Sequence, residues 1–161
     1  MILVTVGQQL PFDRLVRAVD KLQPGIGVRI IAQVGNAAYS PRNLETRPNF
    51  SSAEIEELAS SAAMIIAHAG IGSLFLAQRH RKPIVIMPRR AALREHRNDH
   101  QSATAQQLSG RPGIFVATDE NDLPGSVSRG LACGDVDHGQ SATAMQLRNA
   151  VARFIAGESL R

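Results

Sequence analysis

The stretch AMIIAHAGIGSLFLAQRHRKPIVIM, residues 63–87, holds two short apolar runs with a glycine-containing turn between them. The runs at 63–67 and 83–87 are predicted to form buried strands, because each is a short apolar segment bounded by turn residues or a proline. Residues 72–80 are predicted to form a helix. A strand, a helix and a second strand in this order are typical of two parallel strands joined by a helical crossover.

The same alternation continues along the rest of the chain. Further strands are predicted at 2–7, 28–35, 113–117 and near Phe50. Further helices are predicted from Pro11 to the QPGIG segment at 23–27, and at 51–62, 98–109, 120–131 and 142–156. The second of these helices opens with Ser51 and Glu54, a capping-box pattern. The pattern predicts a doubly wound α/β fold, a Rossmann-like parallel sheet with helices on both faces, in a single domain spanning 1–161.

Composition is that of a globular protein. The chain has 161 residues, of which 43% are hydrophobic and 20% charged. No apolar run approaches the roughly 20 residues of a membrane-spanning helix. The segment MILVTVG enters an apolar run without a basic leader, so we expect a cytoplasmic chain without a signal peptide. The single cysteine, Cys133, fits a reducing compartment.

Positive charge is concentrated between residues 79 and 100. This segment has seven Arg and Lys against two acidic residues, a net +5, whereas the whole chain has +4. It indicates either a solvated surface or an anionic partner: a phosphorylated small molecule, a membrane surface or a nucleic acid. One tyrosine and no tryptophan leave few platforms for stacking bases, which disfavours nucleic acid. No metal site is predicted, because no cysteine or HExxH pattern accompanies His96 and His100.

The segment HAGIGS, residues 68–73, lies where a predicted strand meets a predicted helix, and open parallel sheets bind ligands at this edge. Glycines let an anion approach the unpaired N–H groups of a helix start, and Ser73 adds a hydroxyl. The glycines alone fit a plain turn equally well. His68 could be a hydrogen-bond donor to a phosphate, or it could be an interior histidine whose own hydrogen bonds are satisfied within the protein. The dinucleotide fingerprint is incomplete, since its third glycine is missing, and the Gly-Lys-Ser/Thr ending of a phosphate loop is absent.

Three motifs taken together resemble a known family. HAGIGS, KPIVIMPR at 82–89 and EHRNDHQ at 95–101 are similar to the C-terminal, donor-binding half of GT-B glycosyltransferases of family 28. The resemblance is closest to the small cytosolic subunit of split two-component transferases of exopolysaccharide and lipid-linked sugar synthesis. The segments at 2–20 and 49–70 fit the same family, so the resemblance covers most of the chain.

The resemblance implies a site for a UDP-sugar. The donor diphosphate would be held by Gly70, Ile71, Gly72 and Ser73, and the uracil would lie against Phe50 and Ser51, while His68 is a candidate electrostatic helper. Contacts to the donor sugar and diphosphate are expected from Arg89, Glu95, Asn98, His100 and Gln101. The arginines expected to face the acceptor or the membrane are Arg90, Arg94 and Arg97. No cofactor and no metal ion are expected.

One position departs from the family pattern. The two-domain enzymes carry a glutamate on the helix after the glycine loop, and it binds the ribose hydroxyls, but this chain has Leu76 there. Ribose recognition is therefore expected elsewhere, with Glu95 as the candidate.

The resemblance also implies a missing half. A complete GT-B enzyme binds its acceptor in an N-terminal domain, where the general base is expected. We therefore expect a hexosyltransferase subunit, inverting and active only with a membrane-associated acceptor subunit and a lipid-linked acceptor. The expected location is cytoplasmic, peripheral to the inner face of the membrane. Two alternatives stay open: a non-catalytic activator of a partner glycosyltransferase, and an unrelated nucleotide-binding protein.

Overall fold

The computed structural model describes residues 1–8 and 10–137, and within them six parallel strands form one sheet in the order β3-β2-β1-β4-β5-β6. The strands are β1 (Ile2–Thr5), β2 (Ile30–Gln33), β3 (Glu45–Arg47), β4 (Met64–His68), β5 (Ile84–Met87) and β6 (Ile114–Val116). The helices are α1 (Asp13–Ile26), α2 (Ser52–Ser61), α3 (Ile71–Arg79), α4 (His100–Leu108) and α5 (Leu123–Cys133), with a 3-10 turn at Ala91–Leu93. The predicted doubly wound parallel sheet is confirmed.

Both faces of the sheet are buried. Along β1, Ile2 and Val4 point into one apolar cluster and Leu3 into the other, since successive side chains of a strand alternate between faces. The first cluster includes apolar residues of α1 and α5, and the second includes Ala59, Ala77 and Ala105 of α2, α3 and α4. Every residue of β1, β2 and β5 is buried, which explains why these strands are readable as continuous apolar runs.

Helix α1 ends inside the QPGIG segment, as predicted, but it includes Pro24 and ends at Ile26, followed by the cap residue Gly27, whose φ is 67°. Proline has no N–H to donate to the carbonyl four residues earlier, that of Asp20. The side-chain amide of Asn43 donates to that carbonyl instead, at 3.1 Å. The loop after β2 thus supplies the hydrogen bond that lets the helix continue past the proline.

The two largest differences from the predicted boundaries are at β3 and α5. The strand expected near Phe50 lies at Glu45–Arg47, and Phe50 is in the connection that follows it. All three residues of β3 are exposed at the sheet edge, so the apolar pattern that identifies the inner strands is absent. Helix α5 starts at Leu123 and not at residue 120, because Asp119 accepts from the backbone N–H groups of Asn121 and Asp122 in a turn. The helix predicted at 142–156 lies outside the described residues.

Strand register places the candidate site residues at one edge. Thr5 at the end of β1 is level with Gln33 of β2 and Ala67 of β4, and His68 is level with Met87 of β5. The connections that follow these strands therefore meet at the carboxyl edge of the sheet. In the part of the chain that is described, no helix combines the length and apolarity needed to cross a membrane.

Candidate functional site

A cleft of about 750 Å³ opens at the carboxyl edge of the sheet. Its walls are the connections after β1, β4 and β5 together with the facing parts of α2 and α3. The cleft-lining residues that were predicted as site residues are Phe50, His68, Gly70, Ile71, Gly72, Ser73, Arg89 and Gln101. The structure thus brings the glycine loop, one end of the basic segment and Phe50 to the same cavity.

The two glycines of the loop have different roles. Gly70 precedes α3 in an extended conformation, and a Cβ placed on it would overlap the imidazole of His68. A Cβ on Gly72 would meet no atom within 4 Å, so the first turn of α3 is open at this point. Ser73 lines the cleft beside it and is 6% exposed. No acidic residue occupies this first turn, which leaves the positive end of the helix dipole available to an anion.

His68 is held between two glycines. A Cβ on Gly7 would lie 2.8 Å from Cε1 of His68, and a Cβ on Gly70 would also overlap the ring. The Nδ1 atom is buried with no hydrogen-bond partner among the described residues, so His68 is not a fully hydrogen-bonded interior histidine. Burial, and secondly the positive charge of Arg89, lower its pKa to about 4. At neutral pH the ring is uncharged and offers one N–H donor and one acceptor.

Arg89 lines the cleft but is only 3% exposed, and its guanidinium is used inside the protein. Nη2 donates to the carbonyls of Val6 at 2.6 Å and Leu10 at 2.7 Å. Nη1 donates to those of Pro11 at 2.6 Å and Glu95 at 3.2 Å. Arg89 was expected to contact the donor sugar or diphosphate directly, but all its Nη donors are already bound to main-chain carbonyls.

The structure does not bring Glu95 into the cleft. Its carboxylate accepts from Nε of Arg14 at 2.7 Å and Nη2 of Arg14 at 2.8 Å, and from the backbone N–H of Arg90 at 2.9 Å. A carboxylate bound in this bidentate way is held in one place by a charge-assisted pair. Glu95 is thus a structural partner of α1 in this fold, which argues against the expectation that it recognises ribose.

The other residues of the EHRNDHQ segment divide between the cleft and the surface. Gln101 lines the cleft, and its Oε1 accepts from the backbone N–H of Arg89 at 3.1 Å. Asn98 and His100 are exposed and do not line the cleft. His96, which the sequence analysis did not place in the site, does line it.

Phe50 and Ser51 also have different positions. Phe50 lines the cleft, with the guanidinium of Arg47 5.6 Å from its ring centre. The hydroxyl of Ser51 accepts from the N–H of Glu54 at 3.2 Å, and the Glu54 carboxylate accepts from the N–H of Ser51 at 2.8 Å. The predicted capping box is confirmed, and it commits the Ser51 hydroxyl to the start of α2, while Ser52 lines the cleft.

Sequence reasoning missed two polar contributions to the cleft. Thr5 and Gln33 are buried at the ends of β1 and β2, and the Thr5 hydroxyl lies 2.5 Å from Oε1 of Gln33. Glu56 of α2 is the only carboxylate among the described residues that line the cleft. Its oxygens contact Nη1 of Arg79 and, at 2.5 Å, Nε2 of His80. For Thr5 and Gln33 the sequence did contain a signal, since each is a polar residue at the end of an apolar strand.

The three remaining arginines lie between β5 and α4. Arg90 is half-buried and donates to the carbonyl of Thr118 at 2.8 Å, whereas Arg94 and Arg97 are exposed. None of the three lines the cleft. Over residues 1–8 and 10–137 no three His, Cys, Asp or Glu side chains are grouped as metal ligands. Acceptor or membrane contact and independence from metal ions stay predictions.

Comparison with known proteins gives a family and a fold. The family model "Glycosyltransferase family 28 C-terminal domain" matches residues 1–131. The spinosyn forosaminyltransferase SpnP is 23% identical over 80% of this chain and 34% of its own, with a TM-score of 0.54. The glycotransferase of kitacinnamycin is 16% identical over 96% of this chain and 39% of its own, with a TM-score of 0.61.

At these identities the two structures show that the fold is shared and no more. This chain spans between a third and two fifths of the length of either solved protein. A search of curated proteins finds no significant match.

Proposed function

The chain belongs to the glycosyltransferase family 28 C-terminal domain, and from this premise we propose that it binds the UDP-sugar donor of a sugar transferase. The observation that carries the proposal is the glycine loop at the start of α3, which opens into the cleft beside an uncharged histidine. The acceptor hydroxyl, and the base that takes its proton, would come from a second protein.

The diphosphate would bind at the first turn of α3. Backbone N–H groups there have no helical partner, and the open side of Gly72 would let phosphate oxygens approach them. Ser73 would add a hydroxyl donor. Hydrogen bonds to a charged oxygen contribute about 1.5–3 kcal/mol each. These donors would also stabilise the UDP that departs when the glycosidic bond to the sugar breaks, without a metal ion.

His68 would act as a neutral hydrogen-bond donor. With a pKa near 4 it carries no charge at pH 7, so its contribution to a phosphate would be a positioned N–H and not a positive charge. The buried positive charge beside the cleft is that of Arg89, which has no ion-pair partner within 4 Å among the described residues. A buried cation of this kind would favour a doubly charged diphosphate nearby.

The nucleoside end of the cleft would lie between α2 and α3. Phe50, Ile55 and Leu76 provide its apolar lining. Because Glu95 is bound to Arg14, we assign the ribose hydroxyls to Glu56, which Arg79 and His80 hold in place. A carboxylate can accept from both hydroxyls of a vicinal diol.

The ribose assignment has a specific test. Glu56→Gln should reduce the preference for UDP over 2′-deoxyuridine diphosphate in a binding titration. Its exposed neighbour Glu57, which does not line the cleft, provides the matched control Glu57→Gln. An unchanged preference in Glu56→Gln would contradict the assignment.

A partner would cover the carboxyl edge of the sheet. Leu10 is 40% exposed, Ile71 59% and Leu93 52%, and all three lie in connections or a helix start at this edge. Large apolar side chains that are exposed at one edge of a protein are typical of an interaction surface. We assign this surface to a membrane-associated acceptor subunit, with a lipid-linked acceptor between the two proteins and the arginines 90, 94 and 97 toward the membrane.

The proposal is tested by adding the purified chain to membranes that contain the acceptor subunit, together with labelled UDP-sugars. We expect labelled lipid only when chain and membranes are both present, and none with a Gly72→Val chain. Transfer by the chain alone would contradict the two-component arrangement. If the amount of labelled lipid does not depend on the added chain for any UDP-sugar, the result would contradict the proposed activity.

A further inference from the structure

Arg89 is a buried cation held by main-chain carbonyls. Burying a charge costs several kcal/mol unless hydrogen bonds and opposite charges compensate it. Four N–H groups of the guanidinium are satisfied by carbonyls, and its central carbon lies 4.7 Å from the ring centre of Phe12. Among the described residues, the only carboxylate that interacts with it electrostatically is that of Glu95, which is itself bound to Arg14.

The four carbonyls come from two different segments. Val6, Leu10 and Pro11 belong to the connection after β1, and Glu95 belongs to the connection after β5. These segments are far apart in the sequence and form adjacent walls of the cleft. A lysine could not reproduce the contact, since its ammonium is a compact point charge and the guanidinium is a planar fork.

The connection after β1 in turn supports His68. Gly7 follows Val6, whose carbonyl is bound by Arg89 at 2.6 Å. Gly7 has a φ of 78° and lies close to the imidazole, since a Cβ at this position would be only 2.8 Å from Cε1. Fixing the Val6 carbonyl therefore fixes one of the two walls between which the His68 ring lies.

We propose that Arg89 is a positioning residue, which holds the connection after β1 against His68 and so sets the place of the imidazole in the cleft. The use of that imidazole toward a diphosphate rests on the proposed function, whereas the positioning itself does not. Arg89 and His96 are the two basic side chains that face His68, and the charge of Arg89 helps to keep the ring neutral. The main chain of Thr5 acts in the opposite direction and raises the pKa of His68.

The test uses the full chain without nucleotide and three variants. Arg89→Lys keeps the charge and loses the fork, Arg89→Met loses both, and Arg111→Met removes an exposed charge that does not line the cleft. Thermal unfolding first shows whether each variant folds. NMR then measures the contact between the His68 ring and the Hα atoms of Gly7, and the pH at which His68 titrates.

We expect a weakened Gly7–His68 contact in both Arg89 variants and an unchanged contact in Arg111→Met. The pKa of His68 should stay near its wild-type value of about 4 in Arg89→Lys. In Arg89→Met it should rise because a nearby positive charge is lost, and burial, the larger cause, should still keep it below 6.5. An unchanged contact in a folded Arg89 variant would overturn the proposal. So would failure of both Arg89 variants to fold, because Arg89 would then serve stability alone.

A UDP titration of the same proteins separates this proposal from the proposed function. Arg89→Lys should bind UDP about tenfold more weakly than Arg111→Met, although Arg89→Lys keeps the net charge and Arg111→Met loses one positive charge. If the wild-type chain binds no UDP, the proposed function fails, while the contact and the titration of His68 still decide the role of Arg89.

Discussion

Replacing Gly72 with valine should remove donor binding and leave the fold intact. The position is in the first turn of α3, and a Cβ there would meet no atom within 4 Å. Its φ is not in the left-handed region. Glycine and valine differ by only a few tenths of a kcal/mol in helix propensity, so the free energy of unfolding should change by less than about 0.5 kcal/mol.

The expected loss of affinity follows from the hydrogen bonds at stake. The isopropyl group would occupy the space through which phosphate oxygens reach the N–H groups of this turn. Losing two charge-assisted hydrogen bonds, at about 1.5–3 kcal/mol each, would weaken binding by roughly 3–6 kcal/mol. Since 1.4 kcal/mol is tenfold in Kd, this is a loss of more than about 100-fold.

The assay is isothermal calorimetry with UDP, in the presence of EDTA, at neutral pH. Gly125→Val is the matched control, because Gly125 also lies in the first turn of a helix, α5, with open space around it and away from the cleft. The control should bind UDP like the wild type. A folded Gly72→Val protein with wild-type affinity for UDP would refute the placement of the diphosphate.

Three further predictions address charge and pH. UDP affinity should be the same with EDTA and with added magnesium or manganese; a loss in EDTA that either ion restores would contradict metal-free binding. His68 is neutral when folded and gains a proton when unfolded below pH 6.5, so the unfolding free energy should fall between pH 6.5 and 4 by roughly 1–3 kcal/mol more than in His68→Gln. Parallel pH curves in urea denaturation would show that His68 has an ordinary pKa. Changing Arg90, Arg94 and Arg97 together to glutamine should weaken sedimentation with anionic vesicles by about 1 kcal/mol per charge at low salt and affect UDP binding little. A collapse of UDP binding with unchanged sedimentation would place these arginines in the donor pocket.

The fold was predictable because its inner strands are apolar on both faces. Each appears in the sequence as a short apolar run, and the polar turns between them mark the crossovers. The edge strand β3 lacks this pattern, since all its residues are exposed, and its place could not be read from hydrophobicity. The passage of α1 through Pro24 depends on Asn43, a contact between distant segments that no local pattern reports.

The glycine loop was predictable because its role depends on local sequence. Small residues at a helix start leave space for an anion to approach the unpaired N–H groups. The structural partners of Arg89 and Glu95 were not predicted, because both residues bind groups that are distant in the sequence. Arg89 binds carbonyls from the β1 connection, and Glu95 binds Arg14 on α1, 81 residues away. A charged residue in a basic segment looks the same in sequence whether it meets a ligand or holds the fold together.

The central claim, a donor diphosphate bound at the start of α3, is tested most directly by NMR titration of the ¹⁵N-labelled chain with UDP in EDTA. The account predicts saturable shifts that are largest for the backbone amides of Gly70, Ile71, Gly72 and Ser73, together with the ring signals of His68. Absence of saturable shifts, or shifts confined to residues outside the cleft, would contradict it.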